Sequence, residues 1–194
     1  RIDTISDHTA SELRDAVTGL AGAQGLIIDL RGNAGGLVDE GIQVADLFLS
    51  EGPIVTVVGR SRGREEYRAD RPQISAARLV VLVDEGTASA AEIVAAAWQD
   101  AGRAILVGMP TYGKTTAQTL YDLPNGSGLK LTTARFLAPS GKPLDGHGIK
   151  PDYEVAAGDE DVSISPTSND ADDGGADANG ARSADPGGDA RKSP

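Results

Sequence analysis

The sequence predicts an α/β fold, because short apolar runs and helix-period segments alternate over residues 1–110. The runs "GLIIDLRG", "PIVTVVG", "RLVVLVD" and "RAILVG" are each bounded by breakers, as strands buried in a sheet are. Between them, apolar residues recur at three- and four-residue spacing. The chain of 194 residues is long enough to bury one substantial core, and residues 1–157 are expected to form it.

The elements follow in order. "TASELRDAVTGLAG" places Leu13, Ala16, Val17 and Leu20 on one helical face and ends at Gly22. "GLIIDLRG" (25–32) reads as the first strand. "GLVDEGIQVADLFLS" returns to helical period through Val38, Ile42, Ala45 and Leu49. "PIVTVVG" and "RLVVLVD" are two further strands. A helix runs from about Ala90 to Ala101, and "RAILVG" is the next strand. "AQTLYDL" and "GLKLTTARFLAPSG", joined across "PNGSG", read as an antiparallel pair. The result is a mixed sheet with flanking helices.

Residues 158–194 break the pattern. They contain nine acidic and three basic residues, no aromatic, and only Val162 and Ile164 as large aliphatics. Too little apolar surface is available to offset ordering entropy, so this acidic tail is expected to be disordered. It carries −6 of the net charge of −11, which leaves the remainder only mildly acidic. There is no basic patch for nucleic acid. The absence of cysteine excludes disulfides and thiolate metal sites. No apolar run reaches the roughly 18 residues needed to span a bilayer. The chain starts at Arg1, directly in "RIDTI", and is expected to be a fragment whose upstream part, with any anchor or export signal, is missing.

Candidate chemistry lies in two loops at carboxyl ends of strands, where α/β folds place ligands. The first, "DLRGNAGGLVDEG", has Gly32, Gly35 and Gly36 in five positions, which lets the backbone aim amide N–H groups at a developing oxyanion. Taken alone it reads as an ordinary strand-to-helix connection, with Asp29 and Arg31 as a surface pair. The second, "VDEGTASAAEI", puts Ser89 at the start of a helix. Ser-x-x-Glu (Ser89 to Glu92) is a capping box, and local sequence favours a cap over a nucleophile. A nucleophilic serine needs a base. His8 and His147 lie in polar surroundings without convincing partners, so a Ser-His-Asp triad fits poorly. Lys114 in "TYGKTTAQ" is the other choice. Burial would disfavour its charged form and lower its pKa from about 10.4 to roughly 7 or 8, so that activity would rise with pH. Gln118, four residues on, could hold the neutral amine.

Together these stretches resemble the carboxyl-terminal processing proteases, the tail-specific serine proteases of the S41 type. "GLIIDLRGNAGG" is similar to their Asp-x-Arg-x-Asn-x-Gly-Gly segment, "GTASAAEI" to their serine motif, and "VGMPTYGKTTAQ" to their Gly-Lys-x-x-x-Gln motif. "GHGIKPDYEV" resembles the end of the protease core. Ala34 and Ala91 depart from the usual proline and serine at those positions. The resemblance implies a crotonase-like (ClpP/crotonase-type) core, with Ser89 as nucleophile, Lys114 as general base and Gln118 orienting it. It implies an oxyanion hole from the Ala90 N–H and that of Gly35 or Gly36, Gly35 preferred, and a supporting role for Asp100. It implies no metal or cofactor, protein substrates with accessible apolar C-termini, and a PDZ domain upstream of this chain. A bacterial, extracytoplasmic enzyme is expected, with homo-oligomers or an activating partner open. The competing readings are a catalytically silent or incomplete substrate-binding fragment and a crotonase-like acyl-CoA enzyme.

Overall fold

The computed structural model describes residues 1–59 and 63–155. The segment 158–194 lies outside the described residues. The order is α1 (Thr9–Gly19), β1 (Gly25–Asp29), α2 (Val38–Asp46), β2 (Pro53–Gly59), β3 (Gly63–Arg68), β4 (Arg78–Val83), α3 (Ala90–Asp100), β5 (Ala104–Gly108), β6 (Thr116–Asp122), β7 (Gly128–Leu137) and β8 (Tyr153–Glu154). Each expected helix and strand is present. The first helix stops at Gly19, three residues short of the expected end, where the Leu20 N–H turns back to the Val17 carbonyl. Two strands are additional, the two-residue β8 and β3, the polar segment "GREEYR", which carries almost no apolar period. The β3 strand forms by pairing antiparallel with β2, as in Glu66 opposite Thr56.

The two pairing senses expected of a mixed sheet are divided between two sheets. One is all-parallel, in the order β1-β4-β5-β8; the other is antiparallel, in the order β3-β2-β7-β6. In the parallel sheet, Leu26, Ile28, Leu79, Val81, Val83, Ala104 and Leu106 are buried in the core. Their strand neighbours turn the other way: Ile27 is 70% exposed and Ile105 46%. This is the period of two expected of a strand with one covered face.

Helix α3 is the centre of the core, buried at every residue from Ala90 to Trp98. Its alanines let α2 approach closely, so that a Cβ placed on Gly41 would stand 3.2 Å from Ala90 Cβ. Trp98 meets Phe48 edge-on at 5.3 Å and donates its ring N–H to the Ala45 carbonyl at 2.9 Å. That bond satisfies the one polar atom of a fully buried indole. Arg103 lies over the other partner of this pair, 5.4 Å from the Phe48 ring centre. The packing fixes α3 along its whole length, and with it the loop in front of its first residue.

Candidate active site

The loop after β1 is held by its own polar side chains. Asp29 takes both ends of the Arg31 guanidinium at 2.9 Å and the Arg31 N–H at 3.1 Å. The Arg31 side-chain hydrogen bonds bring the Asp29 carboxyl down to about 2, outweighing partial burial, which pulls the other way. Asn33 is fully buried. Its amide donates to the Ile2 carbonyl at 2.9 Å, its Oδ1 accepts the Gly35 N–H at 2.8 Å, and its carbonyl accepts the Ala88 N–H at 2.8 Å. Gly35 and Gly36 have φ of 94° and 147°. A Cβ on Gly35 would lie 2.7 Å from Ser89 Cβ, and one on Gly36 would lie 1.9 Å from the Ile5 oxygen. Only glycine lets this loop press against Ser89 on one side and the amino-terminal segment on the other.

The second loop leaves β4 at Asp84. Asp84 Oδ1 accepts the Gly86 N–H at 3.0 Å and, across the gap, the Gly32 N–H at 2.8 Å. One carboxylate thereby staples the two loops together. Ser89 follows with φ 57° and ψ −122°, a left-handed conformation that a serine holds at a cost of about 1–3 kcal/mol. It is in capping-box register with Glu92, whose carboxylate accepts the Ser89 N–H at 3.0 Å. The Glu92 N–H bonds the Ser89 carbonyl at 2.9 Å, and the Ser89 side chain makes no cap hydrogen bond. Thus the box expected from sequence is present, closed by the Glu92 carboxylate.

Glu92 does more than close the cap. Fully buried, it accepts from the Thr111 hydroxyl at 2.5 Å, the Gly113 N–H at 2.8 Å and the Lys114 N–H at 3.0 Å. All four partners donate, and a buried carboxylate needs that satisfaction. The effect is to tie the backbone of Ser89 to that of Lys114, which sequence spacing places 25 residues apart. Sequence reasoning saw Glu92 only as a cap, and Asp84 and Asn33 not at all. A Glu inside an otherwise apolar "AAEIVAAAW" was the available signal, since buried acids are rare without partners.

Ser89, Tyr112, Lys114 and Thr116 line one cleft of about 460 Å³, with Ala34, Glu85, Gly86 and Ala88 completing its walls. Lys114 is exposed rather than buried, and its side chain makes no hydrogen bond or ion pair with a described residue. Burial by the protein is therefore not what prepares its amine, because the segment runs out along the open start of β6. Gln118 is exposed on β6, outside the cleft lining and without a bond to Lys114. The Ala90 N–H and the Gly36 N–H have no partner among the described residues, whereas the Gly35 N–H is taken by Asn33. Asp100 is at the far end of α3, about 16 Å from Ser89 at 1.5 Å per residue, where it accepts the Ser140 N–H at 2.9 Å. His8 and His147 are exposed and outside the cleft. Among the described residues no group of three His, Cys, Asp or Glu could hold a metal, and no helix is long and apolar enough to cross a membrane.

A strained serine at a helix start thus faces a glycine loop with a lysine in the same cleft, and comparison places the chain in a family. The family model for peptidase family S41 matches residues 1–155, and the chain belongs to that family. It is 39% identical over 158 residues to the chloroplastic C-terminal processing peptidase of Tetradesmus obliquus, and 40% identical over 158 residues to the carboxy-terminal processing protease CtpA of Bacillus subtilis. Each match covers 80% of this chain and 34% of the relative, so the chain spans about a third of the length of these curated relatives. Relatives thus come from chloroplasts as well as bacteria, and the resemblance does not imply a bacterial source. The photosystem II D1 C-terminal processing protease superposes with a TM-score of 0.76 at 39% identity, over 80% of this chain and 41% of that one. Mature CPAF, at 15% identity and a TM-score of 0.65, shares the fold.

Proposed function

We propose that the chain is the catalytic part of a serine-type peptidase that cleaves polypeptides near their C-termini through a Ser89–Lys114 dyad. The single observation that carries this is the cleft in which Ser89, held at a strained helix start, and Lys114 stand together. Family membership supports the peptidase class, and similarity to C-terminal processing proteases supports the position of the cut. The Ser89 hydroxyl proton passes to Lys114 as the Ser89 Oγ–carbonyl carbon bond forms. The resulting oxyanion is received by the Ala90 N–H, which the α3 dipole reinforces, and by the unpaired Gly36 N–H in place of the Gly35 N–H preferred from sequence. Lys114 then returns the proton to the leaving amine as the C–N bond breaks. Water hydrolyses the ester, again through Lys114. A substrate seated over the cleft removes the water that favours the charged amine, and so prepares Lys114 only when it is needed.

Gln118, two residues beyond Thr116 on the same side of β6, steers the Lys114 amine in this reading. Asp100 acts through structure, at the far end of α3. The two sheets are read as a crotonase-like core. Capture of apolar substrate C-termini by a PDZ module outside residues 1–157, and work outside the cytoplasm, rest on the family resemblance. An acyl-CoA enzyme would use the same oxyanion donors but has no use for Ser89 and Lys114 in one cleft.

The test is hydrolysis of an unstructured protein with an apolar C-terminus by the wild type, Ser89→Ala and Lys114→Ala. Loss of cleavage by at least about 10³ in both folded variants supports the dyad. Normal cleavage by Ser89→Ala would mean that Ser89 is only the first residue of a helix. A folded wild type inert on every such substrate would favour the silent-fragment reading.

A further inference from the structure

We propose that Glu85 and Tyr112 form a subsite for a basic side chain of the substrate, beside the bond that Ser89 attacks; this rests on the peptidase reading of the cleft. The carboxylates around the cleft are otherwise committed. Asp29 is bound to Arg31, Asp84 to the two loops, and Glu92 to four donors. Glu85 is exposed, lines the cleft, and makes no side-chain hydrogen bond or ion pair with a described residue. Its backbone is also held in place. Glu85 is the second residue of the turn closed by the Thr87 N–H on the Asp84 carbonyl at 2.9 Å, which Asp84 Oδ1 fastens from within. Tyr112 is 63% exposed in the same cleft, and its N–H is bonded to the Thr87 carbonyl at 2.9 Å, two residues from Glu85.

An open carboxylate and an open aromatic ring lining one cleft suit a lysine or arginine side chain. The carboxylate supplies an ion pair and the ring supplies a cation–π contact, each carried on a hydrogen-bonded stretch of backbone. An acidic side chain in the same place meets Glu85 as a like charge. In the same lining Ala34, Gly86 and Ala88 are small and neutral and leave room for a long stem, and Lys114 is the one basic side chain. This charge selection is separate from the apolar C-terminus expected from the family resemblance.

The experiment uses peptides in which lysine or glutamate replaces each residue within two positions of the cleaved bond. At one of those positions the wild type is expected to favour lysine over glutamate in kcat/KM by about 3- to 30-fold, the sum of an exposed ion pair and a cation–π contact. Glu85→Gln should shrink that ratio to below about 3-fold, Glu85→Lys should invert it, and added salt should weaken it. Tyr112→Leu should lower the lysine advantage alone. The same peptides are bound to Ser89→Ala and to Ser89→Ala with Glu85→Lys, read by fluorescence anisotropy. A ratio unmoved by Glu85→Lys, or no preference for lysine in either assay, overturns the subsite. Cleavage that survives Ser89→Ala would sink the peptidase assignment of this cleft instead, and the binding ratio still decides Glu85 and Tyr112.

Discussion

At the scale of single residues, the site is set by carboxylates that touch no substrate. Glu92 accepts four hydrogen bonds in full burial, so replacing one oxygen by NH₂ turns the amide against two donors whichever way it faces. Glu92→Gln is expected to cost about 2–6 kcal/mol in urea denaturation, since each of the two opposed donors costs about 1–3 kcal/mol. Asp29 makes a second prediction. Its carboxyl is lowered from 3.8 to about 2 by folding, so its contribution to stability is fully present above about pH 4 and is lost as pH falls through that window toward 2. Stability measured against pH should fall less steeply between pH 4 and 2 in Asp29→Asn than in the wild type. Equal slopes would mean that the Arg31 pair contributes nothing to folding. The Glu92 clamp could not be read in advance, because three of its four donors, the Thr111 hydroxyl and the Gly113 and Lys114 N–H groups, come from beyond β5 and are remote in sequence from Glu92.

At the scale of elements, alternation in β1 separates two isoleucines that the sequence presents as neighbours. Ile28 is 6% exposed and Ile27 70%. Ile28→Ala should cost about 2–5 kcal/mol by thermal or chemical unfolding, and Ile27→Ala no more than about 0.5 kcal/mol. Similar costs at both positions would show the outer face to be covered in solution. Both strand and helix identities were legible here, since apolar runs and helical periods are local signals. β3 was not, because a polar strand is held by pairing with β2 and its sequence contains no record of the partner. The parallel run also carried no sign of which residues face out: a continuous apolar string looks the same from either side.

At the scale of the whole molecule, α3 is the beam on which the loops rest, and Trp98 anchors it to α2 and Phe48. Trp98→Ala is expected to destabilise the chain by about 3–5 kcal/mol, a large share of the roughly 5–15 kcal/mol by which a domain is ordinarily stable. As the chain has a single tryptophan, the wild-type fluorescence should shift to the red in one transition that coincides with loss of helical circular dichroism. Two separate transitions would show that α3 unfolds independently of the sheets. The division between residues 1–157 and the acidic segment remains a proposal from composition.

The sequence by itself determined the order of the three helices and of six of the strands, the two glycine- and serine-bearing loops, and the residue types offered for chemistry. These depend on local periodicity, on breakers and on motifs a few residues long. Tertiary structure alone decided that Lys114 stands exposed in the Ser89 cleft and that Gly36 rather than Gly35 keeps an N–H without a partner among the described residues. It also gave Glu92 its clamp and left Glu85 open. Each of these depends on which distant backbone group arrives at a given atom, and hydrogen bonding and burial are settled only when the chain is packed.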